Sequence, residues 1–431
     1  MSRRNNRRIK SISPSKGEFL EKREVLTASL AGGILTIQGT AANDQIEMFG
    51  RGEGVVELSG VTGVSMGARF TGVNEVRVNG LAGDDNIKSD NVSARLVLNG
   101  GQGNDQFDVL RQAAGAFSVT VLGDVGNDSA LVKLESPMGA SSSATVSINL
   151  GAGDDRAQLD IVSEASVNTL NATLIGGDGN DEMQVQTDFK PASTSAISNV
   201  RIEAGAGDDL MRHSMQSDAR TSRSNLTTID PLGMSSLNTR VELSQLVQTG
   251  SVSLNVSGSA QQDLVGAEIN SQASQRLTLD QVVRTGDSSD VVILKANHIT
   301  AAPVDMALTG DAGFGDDEFM FMLDTINSAV SVRTSTVLGG AGNDKMMVAL
   351  AGNTTVSSLT MDGGTGDDLL AFQSKGTLRA GTNGVKVRGG DGSDKIESIV
   401  DSLISGSILL DGGLGFDEVF GTGTKINAEI T

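Results

Sequence analysis

The sequence predicts an all-β solenoid in which one glycine-rich loop closes each coil of about 25 residues. Three observations predict it. Units like Gly339-Gly340-Ala341-Gly342-Asn343-Asp344 recur along most of the 431 residues. Their last acidic residue falls at Asp44, Asp85, Asp105, Asp128, Asp155, Asp181, Asp209, Asp290, Asp317, Asp344, Asp368, Asp394 and Asp417, usually 20 to 28 residues apart. The residue two beyond each of these landmarks is apolar, from Ile46, Ile87 and Phe107 through Ala130, Ala157 and Met183 to Val419. A fixed period in this range is the signature of stacked units that bury one another's apolar faces.

Each unit reads as strand, loop, strand. Before the loop, Leu96 and Leu98, Val119 and Val121, Val146 and Ile148, Val200 and Ile202, and Val385 and Val387 alternate with polar residues. That is the period of an extended chain with one face buried. After it, Phe107 and Val109, Met183 and Val185, and Met346 and Val348 continue the alternation. Between the strands, Gly103, Gly126, Gly153, Gly179, Gly207, Gly342, Gly366 and Gly392 stand two before their landmarks, usually followed by Asn or Asp. Such residues permit the left-handed backbone that a sharp bend requires. A bend of this kind turns carbonyl oxygens inward, and the landmark carboxylate adds a charged oxygen. That set suits a hard cation, calcium more than magnesium, because calcium takes about six to eight oxygens in flexible geometry.

Gly100-Gly101-Gln102-Gly103-Asn104-Asp105-Gln106-Phe107-Asp108, with the copies at Gly176 to Gln184, Gly339 to Met347 and Gly389 to Glu397, resembles the calcium-binding nonapeptide of the RTX, or haemolysin-type, family. The resemblance implies a parallel β-solenoid, β-roll or β-helix-like. It also implies ions between the loops of successive coils, held by loop carbonyls and motif aspartates. Carried onto this chain, the metal residues expected are Asp85, Gly103, Asp105, Asp128, Asp155, Gly179, Asp181, Asp209, Asp317, Gly342, Asn343, Asp344, Gly366, Asp368, Gly392, Asp394 and Asp417. One departure from the family is that the nonapeptides come once per coil instead of in tandem, which leaves the number of strands per coil open.

Taken in order, residues 1–30 form a basic leader, with Arg3, Arg4, Arg7, Arg8 and Lys10 ahead of Glu18, Glu21 and Glu24. The charges interrupt any apolar core of a standard secretory signal. Phe19 to Ala28, with Leu20-Glu21-Lys22-Arg23, resembles the leader of many planctomycete secreted or surface proteins and implies export by an atypical route. Residues 31–211 are expected to be calcium-binding coils, the first of them a cap, since Asn43-Asp44 lacks the later loop glycines. The 41-residue gap to Asp85 leaves room for an extra strand pair around Val55, Val56 and Leu58.

Residues 212–285 lose the glycines yet keep the spacing: Asp209 to Asp263 is 54 residues, twice 27, and Asp263 to Asp290 is 27. Two coils without ion loops are therefore expected there, with an inserted interaction surface as the alternative. Residues 286–431 resume the pattern, and Gly310 to Asp317 reads as a loop two residues longer than the rest that should bulge.

Composition narrows the function. A net charge of −20 argues against nucleic acid and anionic membrane surfaces, and makes cations the natural partners. No run approaches the roughly 20 apolar residues of a membrane span. The absence of cysteine excludes disulfides and thiolate metal sites, and the absence of Trp and Tyr removes the usual sugar-stacking platforms. His213 and His298 are the only histidines, the first at a position usually apolar or small and so structural, the second without an evident partner.

No zinc, nucleophile-elbow or phosphate-loop motif occurs. The expectation is a non-enzymatic, extracellular or cell-surface calcium-binding repeat protein with a structural or adhesive role. A surface polysaccharide or another surface protein is the candidate partner. The alternative is a polysaccharide lyase or glycosidase on a parallel β-helix, which needs Arg or Lys beside acidic residues in a concavity away from the loop column.

Overall fold

A computed structural model describes residues 26–59, 67–113, 115–137, 141–191, 193–230, 235–326 and 328–427. All its regular elements are strands. Alternation of apolar and polar residues makes them so, and the same alternation decides which face is inside. The leader-like segment lies outside the described residues except for its last part, where Thr27–Ala31 is strand β1.

Strand β1 pairs antiparallel with β2 (Ile34–Gln38), and β3 (Gln45–Gly50), β4 (Val55–Ser59) and β5 (Ala68–Thr71) form an antiparallel meander. The extra pair expected around Val55 is therefore present. From β6 (Glu75–Ala82), β7 (Asn86–Asp90), β8 (Arg95–Gln102) and β9 (Gln106–Arg111) onward every pairing is parallel. Nearly every strand joins the one two places later in the chain, so a coil contributes one strand to each of two faces. The exception is the continuous strand Lys345–Thr365, which runs through both positions of its coil and pairs with its immediate neighbours Ala329–Ala341 and Leu369–Ala380. The chain is a parallel β-solenoid, and the strands per coil number two.

Register is kept by the apolar column beyond the landmarks. Ile46 pairs with Ile87, Ile87 with Phe107, Phe107 with Ala130, Ala130 with Ala157 and Ala157 with Met183. The column continues to Ile396 and Val419. Phe107 next to Ala130 is a large residue given room by a small one, which close packing demands. A slip of one residue would turn this whole column outward.

The stretch without glycine loops continues the stack. Met211 pairs with Leu237, Leu237 with Val265 and Val265 with Val292. The long loop expected at Gly310 is corrected: Gly310 lies within the strand Val304–Phe314, and its loop has the ordinary length, with Gly313 in register with Gly286 and Gly340. Gly310 is needed for space instead, because a Cβ there would lie 2.6 Å from the Phe319 ring. The irregularity falls earlier in that strand, between Met306 and Thr309.

Candidate functional site

The landmark aspartates lie one above another along a single edge, and they point into the solenoid. Asp85, Asp105, Asp128, Asp155, Asp181, Asp209, Asp317, Asp344, Asp368, Asp394 and Asp417 are each at most 3% exposed. Strand alternation explains this, since the landmark is two residues before a core position and shares its face.

One carboxylate oxygen is engaged between coils. Asp85 N–H donates to Asp105 Oδ1 at 2.8 Å, Asp105 to Asp128 at 2.7 Å, Asp128 to Asp155 at 2.6 Å, Asp155 to Asp181 at 2.9 Å and Asp181 to Asp209 at 2.8 Å. A second run ties Asp263, Asp290, Asp317, Asp344, Asp368, Asp394 and Asp417 in the same way, at 2.7 to 3.0 Å. Between the runs Ser235 occupies the landmark register, and its N–H and hydroxyl both donate to Asp263 Oδ1.

The other oxygen is orphaned. Oδ2 of Asp85, Asp105, Asp128, Asp155, Asp181, Asp209, Asp290, Asp317, Asp344, Asp368 and Asp394 has no hydrogen-bond partner among the described residues. It rests against the residue five before its landmark. A Cβ added to Gly100 would lie 1.9 Å from Asp105 Oδ2, and one on Gly363 would lie 2.2 Å from Asp368 Oδ2. The carbonyl oxygen of the next coil crowds the same point: at Gly80, Asp85 Oδ2 and Gly100 O stand 2.1 and 2.3 Å from the position a Cβ would take. Two exceptions are satisfied locally, Asp44 Oδ2 by Thr40 N–H and Asp263 Oδ2 by Ser259 N–H.

Burial first, and then repulsion between neighbouring landmark carboxylates, pushes Asp85, Asp128, Asp209, Asp317 and Asp368 up to about 7 from an ordinary 3.8. Burial likewise raises Asp155, Asp181, Asp263 and Asp394 to about 6, and raises Asp105, Asp290 and Asp344. The backbone N–H bonds oppose these shifts without cancelling them.

The loop glycines bring the coils close. Gly103, Gly179, Gly342, Gly366 and Gly392 have φ between +126° and +149°. At Gly366 a Cβ would stand 2.0 Å from Gly342 O, so loop carbonyls face along the stack toward the next coil. Carboxylate and carbonyl oxygens lining a side-chain-free bend are the donors a hard cation takes. Among the described residues no group of three or more Asp, Glu, His or Cys gathers in metal-binding geometry. Most of an ion's oxygens would therefore be carbonyls, and the residues fit calcium in kind on those terms.

Asn343 is not brought to this column. It is exposed, its N–H donates to Asp316 Oδ1 at 2.7 Å, and its own Oδ1 accepts Asp367 N–H at 2.8 Å. It belongs to an outer ladder that sequence reasoning missed. Asn104 N–H donates to Asp84 Oδ1, Asn127 to Asn104, Asp154 to Asn127, Asn180 to Asp154 and Asp208 to Asn180, at 2.8 to 3.1 Å. The signal was available, because adjacent residues of an extended chain face opposite ways.

Of the histidines, His213 is buried with both ring nitrogens unpartnered among the described residues, and burial lowers it to about 4. His298 Nε2 lies 3.1 Å from Ala302 O and 3.0 Å from Thr300 Oγ1. Among the described residues no helix is long and apolar enough to cross a membrane. No protein-family model matches the chain, and neither do any curated protein or solved structure.

Proposed function

We propose that this chain is a calcium-linked rod, exported to the cell surface or beyond, with a structural or adhesive role and no catalysis. The observation that carries the reading is the file of buried carboxylates, most with an oxygen that has no hydrogen-bond partner among the described residues. Coils stack about 4.8 Å apart, so these groups repel one another in a medium that screens poorly. At neutral pH the file needs either protons or a counter-charge.

Calcium suits the oxygens at hand because it accepts carbonyls in irregular geometry, where magnesium demands a tight octahedron. Asp105, Asp128, Asp155, Asp181, Asp317, Asp344, Asp368 and Asp394, with the loop carbonyls beside Gly103, Gly179, Gly342, Gly366 and Gly392, would hold it. When bound, the ion supplies positive charge between coils and so couples binding to folding. Asp44 and Asp263, satisfied within their own loops, would be ion-free. The likeness of the loops to RTX nonapeptides and of Phe19 to Ala28 to a planctomycete leader supports export, and scarce calcium inside a cell would leave the coils loose before it.

Calorimetric titration with calcium, alongside circular dichroism in chelator and then in millimolar calcium, tests the reading. Ion uptake with a rise in melting temperature is expected. Absence of both sinks it.

A further inference from the structure

The coils that lack glycine loops carry a concavity on the sheet that follows the loops, at the far ends of its strands. It encloses about 640 Å3 and spans the strands Asp209–Ser217, Ser235–Leu243, Leu264–Ser271 and Val291–His298. Along its floor Gln216, Glu242, Asn270 and Asn297 form one outward column in strict register. Asn297 Nδ2 donates to Asn270 Oδ1 at 2.8 Å, and Asn270 Nδ2 donates to Glu242 Oε1 at 2.9 Å. Arg240 Nε is held by Glu242 at 2.8 Å, Asp218 stands on the wall, and Ile299 is 54% exposed at the rim. The placement is the one a polysaccharide-active enzyme would need, away from the loop column, but the basic residue is ion-paired to Glu242 and so is not free to act on a sugar.

Its chemistry selects the ligand. Among the described residues Arg240 is the one cation in the lining and it is paired, and Asp218 and Glu242 leave the groove acidic, so phosphate polymers and polyuronates are repelled. Every strand that crosses it is hydrogen-bonded on both sides, so no edge is free for a peptide to join. One exposed aliphatic side chain makes no lipid or helix surface. What remains is a line of three amides that both donate and accept and one carboxylate that accepts, Glu242, with neighbours about 4.8 Å apart. That is the complement of a linear chain of hydroxyls with an occasional apolar face.

We propose that this groove binds a neutral linear polysaccharide lying along the rod. The inference names a partner for the adhesive role proposed above, and none of its groups belongs to the calcium column.

Electrophoresis of the full chain through native gels containing dextran, laminarin or hydroxyethylcellulose, with polygalacturonate for comparison, tests it. Gels are run in calcium, and circular dichroism in the same buffer reports folding. Retardation by at least one neutral polymer is expected. The combined variant Gln216→Ala, Asn270→Ala should weaken it about thirtyfold, as the loss of two polar contacts of about 1 kcal/mol each implies. Asn225→Ala, in the amide ladder of the opposite sheet, should leave it unchanged. Folded protein that no neutral polymer retards overturns the groove assignment alone. So does stronger retardation by polygalacturonate, or equal retardation of the combined variant. A chain that is folded and retarded equally in chelator supports the groove and removes the calcium linkage.

Discussion

Raising the pH in the absence of calcium should unfold this protein, and the aspartate file sets the window. Asp368 is lifted from 3.8 to about 7, chiefly by burial and then by the charges of Asp344 and Asp394. A folded-state value above the unfolded one means that stability is complete below pH 3.8 and is lost as pH rises toward about 7. For one such group the full loss is about 4 kcal/mol at 1.36 kcal/mol per unit. That is a ceiling, because a protonated neighbour no longer repels, and the file titrates as a coupled whole. Even a fraction of it, summed over Asp85, Asp128, Asp209, Asp317 and Asp368, rivals the roughly 5–15 kcal/mol by which proteins are stable. Without Trp or Tyr, the melt is best followed by far-ultraviolet circular dichroism. In chelator the melting temperature should fall between about pH 4 and pH 8, and calcium should restore it at the alkaline end. A flat or rising profile in chelator would refute the reasoning about the file, and an alkaline profile that calcium does not change would refute the ion.

Three further outcomes follow from named contacts. Asp344→Ala should lower calcium stoichiometry in calorimetry, whereas Asp263→Ala should leave stoichiometry intact and cost about 1–3 kcal/mol by orphaning the Ser259 N–H and the Ser235 donors; equal effects on stoichiometry would contradict the assignment of ion-bearing loops. Leu81 holds φ at +85° where most other loops have glycine, Asp124 being another exception, and is 40% exposed, so Leu81→Gly should stabilise by about 1 kcal/mol, left-handed relief exceeding glycine's entropy. A lower melting temperature for that variant would show that Leu81 is not strained. His213, pushed down from 6.5 to about 4, should weaken the fold as pH falls through that interval, opposite in sign to the aspartates. His213→Leu should therefore gain stability at pH 4 relative to pH 7, and an equal change at both would exclude the linkage.

The stack of coils was legible because the period of the landmarks and the alternation around them describe one geometry twice, whereas the count of two strands per coil was not, since spacing does not show where a coil turns away from its loop. Ile46 to Val419 could be aligned from spacing, and so could the continuation through Val265 where glycines are missing, whereas Leu237 could not, because its coil is 26 residues from the last and not 27. Gly310 misled because a glycine chosen for a neighbour's ring looks the same in sequence as one chosen for a bend. Ser235 was invisible as a landmark, since a hydroxyl in a serine-rich stretch carries no signature. Asn343 was placed with Asp344 on the strength of a motif, although strand alternation already separates them. The seat of each Oδ2, five residues upstream, shows only in the folded stack, because nothing in a run such as Gly100-Gly101 distinguishes a glycine that receives a carboxylate from one that turns the chain.

Two ladders of opposite sense run along the same edge. In the inner one a coil's N–H donates to the side chain of the following coil, and in the outer one to the side chain of the preceding coil. Asn104 and Asp105 therefore fasten one coil in both directions, Asn104 N–H to Asp84 and Asp105 N–H to Asp128. Neighbour coupling of this kind is what a one-dimensional stack depends on. It also explains why the edge tolerates a serine at position 235: the hydroxyl supplies an extra bond to Asp263, and the apolar column from Met211 to Val265 stays in register. With the stack held there by its core, the coils around Ser235 are released from the demands of the loop motif, and their outer faces are free to carry the row from Gln216 to Asn297.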